Sequence, residues 1–97
     1  MTRSPADSPV VRLLEIKNRL GLHARAAARL VQAVSQYDAS ITITKDEQAV
    51  DGKSILGLMM LAAGQGSTIE VSAVGTDARE AVLAIEMLVD GLFDEGE

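Results

Sequence analysis

The clearest pattern in the chain is the strict alternation of apolar and polar residues in two segments. In Ser40 to Lys45 the two isoleucines fall on one face and the hydroxyl side chains on the other, and Thr68 to Val74 places Ile69, Val71 and Ala73 on one face. A repeat of about two residues is typical of a β-strand with one buried face. Both segments are therefore predicted to be strands of a sheet that has one apolar face.

Two more strands are predicted beside these. Val10 to Ile16 is short and rich in aliphatic side chains, which fall on both of its faces. Asp46-Glu47 is a polar turn, after which Gln48 to Asp51 can return as an antiparallel partner until Gly52 interrupts the pattern. This turn therefore predicts a hairpin.

Two helices are predicted between the strands. The first runs from about Ala24 to Gln36 and is amphipathic, because apolar residues recur at helical spacing while arginines and glutamines line the opposite face. The second is short, from Ser54 to Ala63, and the following Gly64-Gln-Gly66 provides a stop. The apolar positions of the first helix are Ala27, Leu30, Val31 and Val34, and its polar positions are Arg25, Arg29, Gln32 and Gln36.

A third helix is predicted after the last strand. Thr76 or Asp77 is in position to cap its start, and Asp77 with Glu80 has the spacing of a capping box. We interpret the end of the chain, residues 94–97, as a solvated acidic tail. Apolar residues recur at helical spacing within the third helix, at Val82, Ile85, Val89 and Leu92.

The order of these elements predicts the fold class. Strand, helix, strand, strand, helix, strand, helix, with half-buried alternating strands, indicates an α+β open-faced sandwich: a four-stranded antiparallel sheet covered on one face by three helices. We expect a flexible tail over residues 1–9, because this segment is polar and contains two prolines, then one domain over residues 10–93 and the acidic tail after it.

Composition excludes several classes of function. The chain has 97 residues, a net charge of −5, one Phe, one Tyr and no Trp, so it is poorly suited to bind a phosphate backbone or to stack on bases, and no nucleic-acid binding is expected. Cysteine is absent and histidine occurs once, so we expect no metal site and no cofactor. Because no apolar run reaches membrane-spanning length and the start lacks the apolar stretch of a signal peptide, a cytoplasmic protein is expected.

The single histidine, His23, lies between the first strand and the alanine-rich helix. A helix N-terminus carries unpaired N–H groups and a partial positive charge, which together favour an anion. Arg25 can direct two hydrogen bonds to phosphate oxygens, and Gly21 permits a sharp turn before the site. These features are compatible with a phosphoryl site. Local features alone nevertheless favour an ordinary helix start, at which His23 binds nothing and Arg25 is solvated.

Two motifs together resemble a known family. Gly21-Leu-His-Ala-Arg-Ala-Ala27 and Asp51-Gly-Lys-Ser-Ile-Leu-Gly-Leu-Met59, with their separation and the order of elements, resemble HPr, the histidine-containing phosphocarrier family of the phosphotransferase system. The resemblance covers about Val10 to Leu92. It implies that His23 accepts a phosphoryl group on Nδ1 from phospho-enzyme I and passes it to a histidine of an enzyme IIA domain or a related acceptor. The chain would then be a carrier in a relay, with Arg25 stabilising the phosphate, and not an enzyme.

The resemblance also assigns roles to other residues. Ser54 aligns with the serine that HPr kinase/phosphorylase phosphorylates in many members of the family, and a phosphate there would disturb the docking of partners. The alternative is a serine that only caps a helix. The resemblance further implies an apolar surface for partners, although each of its residues is also suited to the core, and we expect a monomer. The residues of this surface are Leu20, Leu22, Leu56 and Met59.

Three functional interpretations stay open from the sequence. The first is a phosphocarrier for sugar uptake or for a nitrogen-type regulatory phosphotransferase chain, both of which use the same histidine chemistry. The second is a regulatory protein whose partner binding is switched by phosphorylation of Ser54. The third is a structural interaction module in which His23 only begins a helix.

Overall fold

Residues 8–95 are described by the computed structural model of the chain, and they form the elements in the order that the sequence predicts. Within this described part, no helix is long and apolar enough to cross a membrane. Of the tail expected over residues 1–9, residues 1–7 lie outside it, and Ser8 and Pro9 are exposed. The strands β1 to β4 span Val10–Glu15, Ser40–Lys45, Gln48–Asp51 and Thr68–Val74, and the helices α1 to α3 span Ala24–Val34, Ile55–Met60 and Ala78–Asp90.

The strands form one antiparallel sheet in the order β1-β4-β2-β3. The two segments with strict alternation, β2 and β4, are the central strands. Their register places Ile43 opposite Val71, and β1 places Leu14 opposite Ile69 on the outer side of β4. All four side chains are buried, so the alternation marks the face of the sheet that the helices cover.

The three helices pack on this face only. Leu30 of α1, Leu58 of α2 and Ile85 of α3 are fully buried in one core cluster with the inward residues of the strands. On the other face, Leu13 and its cross-strand neighbour Glu70 are exposed. The architecture is therefore the predicted α+β open-faced sandwich, a four-stranded antiparallel sheet with three helices on one side.

The start of α3 differs from its prediction. Asp77 is the residue before the helix, but its carboxylate makes no hydrogen bond to the first turn, so the predicted capping box with Glu80 is wrong. The carboxylate instead accepts a hydrogen bond from the Asp38 N–H at 2.8 Å, and the Asp77 N–H donates to the Asp38 carbonyl at 3.0 Å. These two bonds join the start of α3 to the chain that enters β2, which a local motif cannot anticipate.

The chain reverses direction after α3 in a left-handed turn. Leu92, Phe93 and Asp94 have φ of 58°, 52° and 63°, a conformation that costs an L-residue on the order of 1 kcal/mol each. Phe93 offsets part of this cost because its ring is fully buried. The turn directs the end of the chain back over the helices, so the predicted solvated tail is wrong at Glu95, which is half-buried.

We expect the replacement of Ile43 by alanine to lower the free energy of unfolding by about 2–5 kcal/mol, because it leaves a cavity at a fully buried position of a central strand. The control is Thr42→Ala on the exposed face of the same strand, for which we expect a loss of less than about 1 kcal/mol. Urea denaturation measures both values. Equal losses in the two variants would contradict the assignment of the inward face.

Candidate functional site

The loop of residues 16–23 connects β1 to α1 and holds His23 at its end. At its start, the Ile16 N–H donates to the Ser67 carbonyl at 2.8 Å, and the Ile16 carbonyl accepts from the Gly66 N–H at 2.8 Å. Near its end, the Leu22 N–H donates to the Ala63 carbonyl at 2.9 Å. The loop is therefore attached at both ends to the segment that precedes β4.

Gly21 makes the close approach of these two segments feasible. Its φ is +66°, and a Cβ at this position would lie 2.4 Å from the Ala63 carbonyl oxygen. Only glycine fits here without moving the backbone that accepts the hydrogen bond of Leu22. The same attachment turns the Leu22 side chain inward, where it is 4% exposed. The placement of Leu22 on the exposed partner surface is therefore corrected: its side chain belongs to the core.

His23 is the residue immediately before α1, as the sequence predicts. Its backbone is extended, with φ −72° and ψ 177°, and its carbonyl accepts the first intrahelical hydrogen bond, from the Ala27 N–H at 2.9 Å. The N–H groups of residues 24–26 precede that bond and have no acceptor within the helix. The imidazole does not cap the helix, so its role differs from that of an ordinary helix-start residue.

The imidazole of His23 contacts a carboxylate from the end of the chain. Its Nε2 pairs with Oε2 of Glu95, and Oε1 of the same carboxylate accepts a hydrogen bond from Nδ2 of Asn18 at 2.9 Å. Asn18 is fully buried and donates a second hydrogen bond to the Gly21 carbonyl at 2.8 Å. One buried amide thus joins the turn before His23 to the carboxylate that His23 contacts.

The Glu95 carboxyl is ionised in this environment. Burial by itself raises the pKa of Glu95, but the hydrogen bonds from Asn18 and His23, with the positive charge of Arg29, outweigh burial and hold the pKa below its ordinary value. A carboxylate whose pKa is lowered on folding stabilises the folded state at neutral pH. This contribution is lost as the pH falls through the lowered pKa.

Three arginines surround the same site. Arg19, Arg25 and Arg29 line a concavity of about 300 Å³ together with His23 and Glu95. Arg29 donates a hydrogen bond to the Phe93 carbonyl, which holds the left-handed turn against α1. The Arg25 side chain is exposed at the second position of the helix. The structure therefore brings Gly21, His23 and Arg25 together and adds positive charge, although the chain as a whole is acidic.

An apolar patch adjoins His23 on the other side. Leu20 and Met59 line a second concavity with His23, and both are well exposed, at 63% and 41%. Leu56 and Met60 of the same helix are 69% and 62% exposed, and Leu56 lies three or four residues from the two methionines, which places it on the same face of α2. We refer to Leu20, Leu56, Met59 and Met60 as the apolar patch.

Ser54 is the residue before α2. Its hydroxyl oxygen accepts a hydrogen bond from the Gly57 N–H at 3.0 Å, so the helix-capping role considered from the sequence is present. The side chain is partly exposed, and the next two residues include Leu56 of the apolar patch. Ser54 therefore lies at the border of that patch.

Sequence reasoning missed Glu95 and Asn18. The acidic segment of residues 94–97 indicates a solvated end, and no motif of the sequence assigns a role to Asn18. One signal was present: Phe93, the only phenylalanine of the chain, directly precedes the acidic residues, and a large apolar side chain at that place indicates that the segment packs onto the domain. The contact with His23, 72 residues earlier, has no local signature.

Comparison with known proteins identifies a family and several similar proteins. A sequence model of the family described as "PTS HPr component phosphorylation site" matches residues 10–90. The phosphocarrier protein HPr of Neisseria meningitidis is 49% identical over 84 residues, which cover 87% of this chain and 94% of that protein. The phosphocarrier protein NPr of Shewanella violacea is also 49% identical over 84 residues, with coverage of 87% and 92%.

The fold is similar to a solved structure as well. The crystal structure of HPr-C-His from Thermoanaerobacter tengcongensis superposes with a TM-score of 0.85 at 42% sequence identity. The superposition covers 89% of this chain and 97% of that one. The similarity therefore extends over nearly the whole described domain.

We expect Gly21→Ala to lower the free energy of unfolding by about 2 kcal/mol or more, because the new Cβ requires a left-handed backbone and meets the Ala63 carbonyl. The matched control is Gly64→Ala on the facing segment, where an added Cβ meets nothing within 4 Å. Denaturant unfolding measures stability, and amide chemical shifts of residues 22–26 report the loop. If Gly21→Ala proves as stable as the control, the close approach is not a constraint.

Proposed function

The chain belongs to the HPr family of phosphocarrier proteins of the phosphotransferase system, and we propose that it accepts a phosphoryl group on His23 from phospho-enzyme I and passes it to an enzyme IIA domain or a related acceptor. The observation that carries this proposal is the position of the imidazole, at the N-terminus of α1 in a concavity that also contains Arg25. The protein acts as an intermediate in a relay and does not turn over a substrate of its own.

The physical environment is suited to a phosphoryl group that must be held and released. The amides of residues 24–26, which have no acceptor within α1, and the dipole of that helix attract an anion next to the imidazole, and the Arg25 guanidinium can pair with two phosphoryl oxygens. The Arg25 side chain is exposed to solvent, so the stabilisation that it gives is moderate. Moderate stabilisation is compatible with transfer onward to a second protein.

The apolar patch is the surface at which we expect donor and acceptor to dock. Its side chains are exposed although they are large and apolar, and two of them, Leu20 and Met59, line a concavity with His23. A partner that covers the patch therefore also covers the imidazole and excludes water during transfer. Such a surface imposes little chemical selectivity, so one patch can serve several partners in turn.

The proposal covers a sugar-uptake chain and a nitrogen-type chain alike. One relative is named HPr and another NPr, and each is 49% identical to this chain over 84 residues. The chemistry at His23 is the same for both. Assays with both types of acceptor decide between them.

A second function, regulation through Ser54, is favoured by the position of that residue. The hydroxyl is partly exposed at the start of α2, beside the apolar patch. Phosphorylation would replace the hydroxyl oxygen that now accepts the hydrogen bond of the Gly57 N–H. The positive end of the helix dipole would tolerate the phosphate, and the added negative charge would lie at the border of the docking surface. We propose that HPr kinase/phosphorylase, where it is present, reduces partner binding in this way.

Incubation with phosphoenolpyruvate and enzyme I is expected to label the protein with an acid-labile phosphoryl group, and His23→Ala should abolish the label. Arg25→Ala should slow labelling by about ten- to a hundredfold without preventing it, because one of several anion-stabilising groups is lost. Arg12→Ala, on the exposed part of β1, is the control and should label at the rate of the unaltered protein. Failure to label with a competent cognate enzyme I would refute the carrier function.

Incubation with HPr kinase/phosphorylase and ATP tests the role of Ser54. We expect an acid-stable phosphate that is lost in Ser54→Ala, and a Ser54→Asp variant whose labelling by enzyme I is slower by about tenfold, because the added charge opposes docking on an apolar surface. Ser40→Asp, at an exposed serine on the face of β2 opposite the helices, is the control for added charge. Unchanged labelling of Ser54→Asp would contradict regulation at the docking surface.

A further inference from the structure

We propose that Glu95 is a positioning residue for phosphoryl acceptance at His23: its carboxylate holds the proton of Nε2, leaves Nδ1 as the nucleophilic nitrogen and balances the charge that the ring acquires. The inference rests on the proposed phosphocarrier function and identifies a residue outside the two motifs that suggested it. It follows from the contacts of the C-terminal segment with the histidine loop.

The tautomer of His23 follows from its partner. An ionised carboxylate can only accept hydrogen bonds, so the nitrogen that contacts Glu95, which is Nε2, must carry the proton. In a neutral imidazole the other nitrogen, Nδ1, then holds the free electron pair. The contact therefore selects which of two otherwise similar nitrogens is ready to attack phosphorus.

The carboxylate is itself held in place. Its second oxygen accepts from Nδ2 of Asn18, whose side chain is fully buried and also bonds the loop that carries His23. Two residues before Glu95, the Phe93 ring is buried in the core and its carbonyl accepts from Arg29 of α1. The backbone before Glu95 is thus held by Phe93 and Arg29, and its carboxylate is held by Asn18. A residue that orients another side chain must itself be held in this way.

The charge balance of the transfer step explains why a carboxylate is useful here. The Nδ1 electron pair forms a bond to phosphorus while the bond from phosphorus to the donor atom breaks, and the donor atom keeps that electron pair. No proton leaves His23 in this step, so a ring with phosphorus on Nδ1 and hydrogen on Nε2 is positively charged. The Glu95 carboxylate on the Nε2 side stabilises this charge, as the carboxylate of a catalytic triad stabilises an imidazolium.

The position of the carboxylate limits its repulsion of the incoming phosphoryl group. Glu95 meets the ring at Nε2, whereas phosphorus bonds to Nδ1 on the other side of the ring. Arg25 and Arg29 line the same concavity as Glu95 and Asp94, and together with the N-terminus of α1 they attract the phosphoryl oxygens. The negative group therefore orients the nucleophile while the positive groups receive the anion.

Three variants separate the parts of this proposal. Glu95→Gln keeps an oxygen that can accept a hydrogen bond from the Nε2–H group but removes the charge. Glu95→Ala removes both. Glu47→Gln removes an exposed carboxylate from the turn between β2 and β3 and is the matched control. Each full-length protein is studied by ¹⁵N NMR of the imidazole, which reports the tautomer without any phosphoryl donor.

Phosphoryl acceptance is then measured with two donors. Phosphoramidate transfers its phosphoryl group with loss of ammonia and needs no protein docking, and phospho-enzyme I is the proposed donor. The nitrogen that bears phosphorus is identified by NMR in every case. Use of the small donor separates an effect on the histidine from an effect on the docking of enzyme I.

We expect the unaltered protein and Glu47→Gln to hold the Nε2–H tautomer and to be labelled on Nδ1 alone. Glu95→Gln should keep that selectivity and lose about tenfold in rate with both donors, since a charge-assisted contact is lost. Glu95→Ala should show both tautomers and labelling on both nitrogens. Unchanged tautomer and rates in Glu95→Ala would overturn the proposal, because a residue that merely anchors the C-terminus affects neither.

The two proposals fail in different ways. If enzyme I does not label the unaltered protein while phosphoramidate labels it on Nδ1 in a manner that depends on Glu95, the carrier function is wrong and the positioning role stands. If enzyme I labels all variants equally on Nδ1, the carrier function stands and the positioning role is wrong.

Discussion

The buried amide of Asn18 joins the two segments from which the histidine site is made. Its two N–H groups donate to the Gly21 carbonyl and to the Glu95 carboxylate, so the turn before His23 and the end of the chain cannot move independently. A buried amide that lost either acceptor would carry an unsatisfied donor, which costs about 1–3 kcal/mol. This cost makes the amide a strong constraint, and the positions of Gly21, His23 and Glu95 all depend on it.

The sheet provides the rigid support for this constraint. The loop of residues 16–23 is attached by backbone hydrogen bonds to the segment that enters β4, a central strand, and Leu22 is buried beneath it. On the other side, the left-handed turn at Phe93 is held by burial of the ring and by Arg29 of α1. The site therefore lies where the histidine loop, the start of α1 and the end of the chain meet over a single core, and its buried parts lie beneath the imidazole of His23.

Positive, negative and apolar groups all surround one imidazole. The backbone amides of α1 and the arginine side chains attract an anion, a carboxylate contacts Nε2, and the apolar patch with Leu20 and Met59 adjoins the ring. A family that transfers phosphoryl groups between proteins needs all three: attraction for the phosphoryl group, a defined nucleophile and a surface that different partners can cover. None of them requires a deep pocket, which suits a small domain whose single imidazole is partly exposed.

The sequence by itself determined the features that depend on neighbours in the chain. The alternation in 40–45 and 68–74 predicted both central strands with their bounds, because side-chain direction in a strand is set by local geometry. The position of His23 before α1 and the turn at Gly21 were also predicted, because helix starts and turns depend on the residues next to them in the chain. Only the tertiary structure decided the inward direction of Leu22, the partner of Asp77 and the contact of Glu95 with His23. Each depends on a contact between distant residues, 39 apart for Asp38 with Asp77 and 72 apart for His23 with Glu95, and no local pattern encodes which distant groups the packed core brings together.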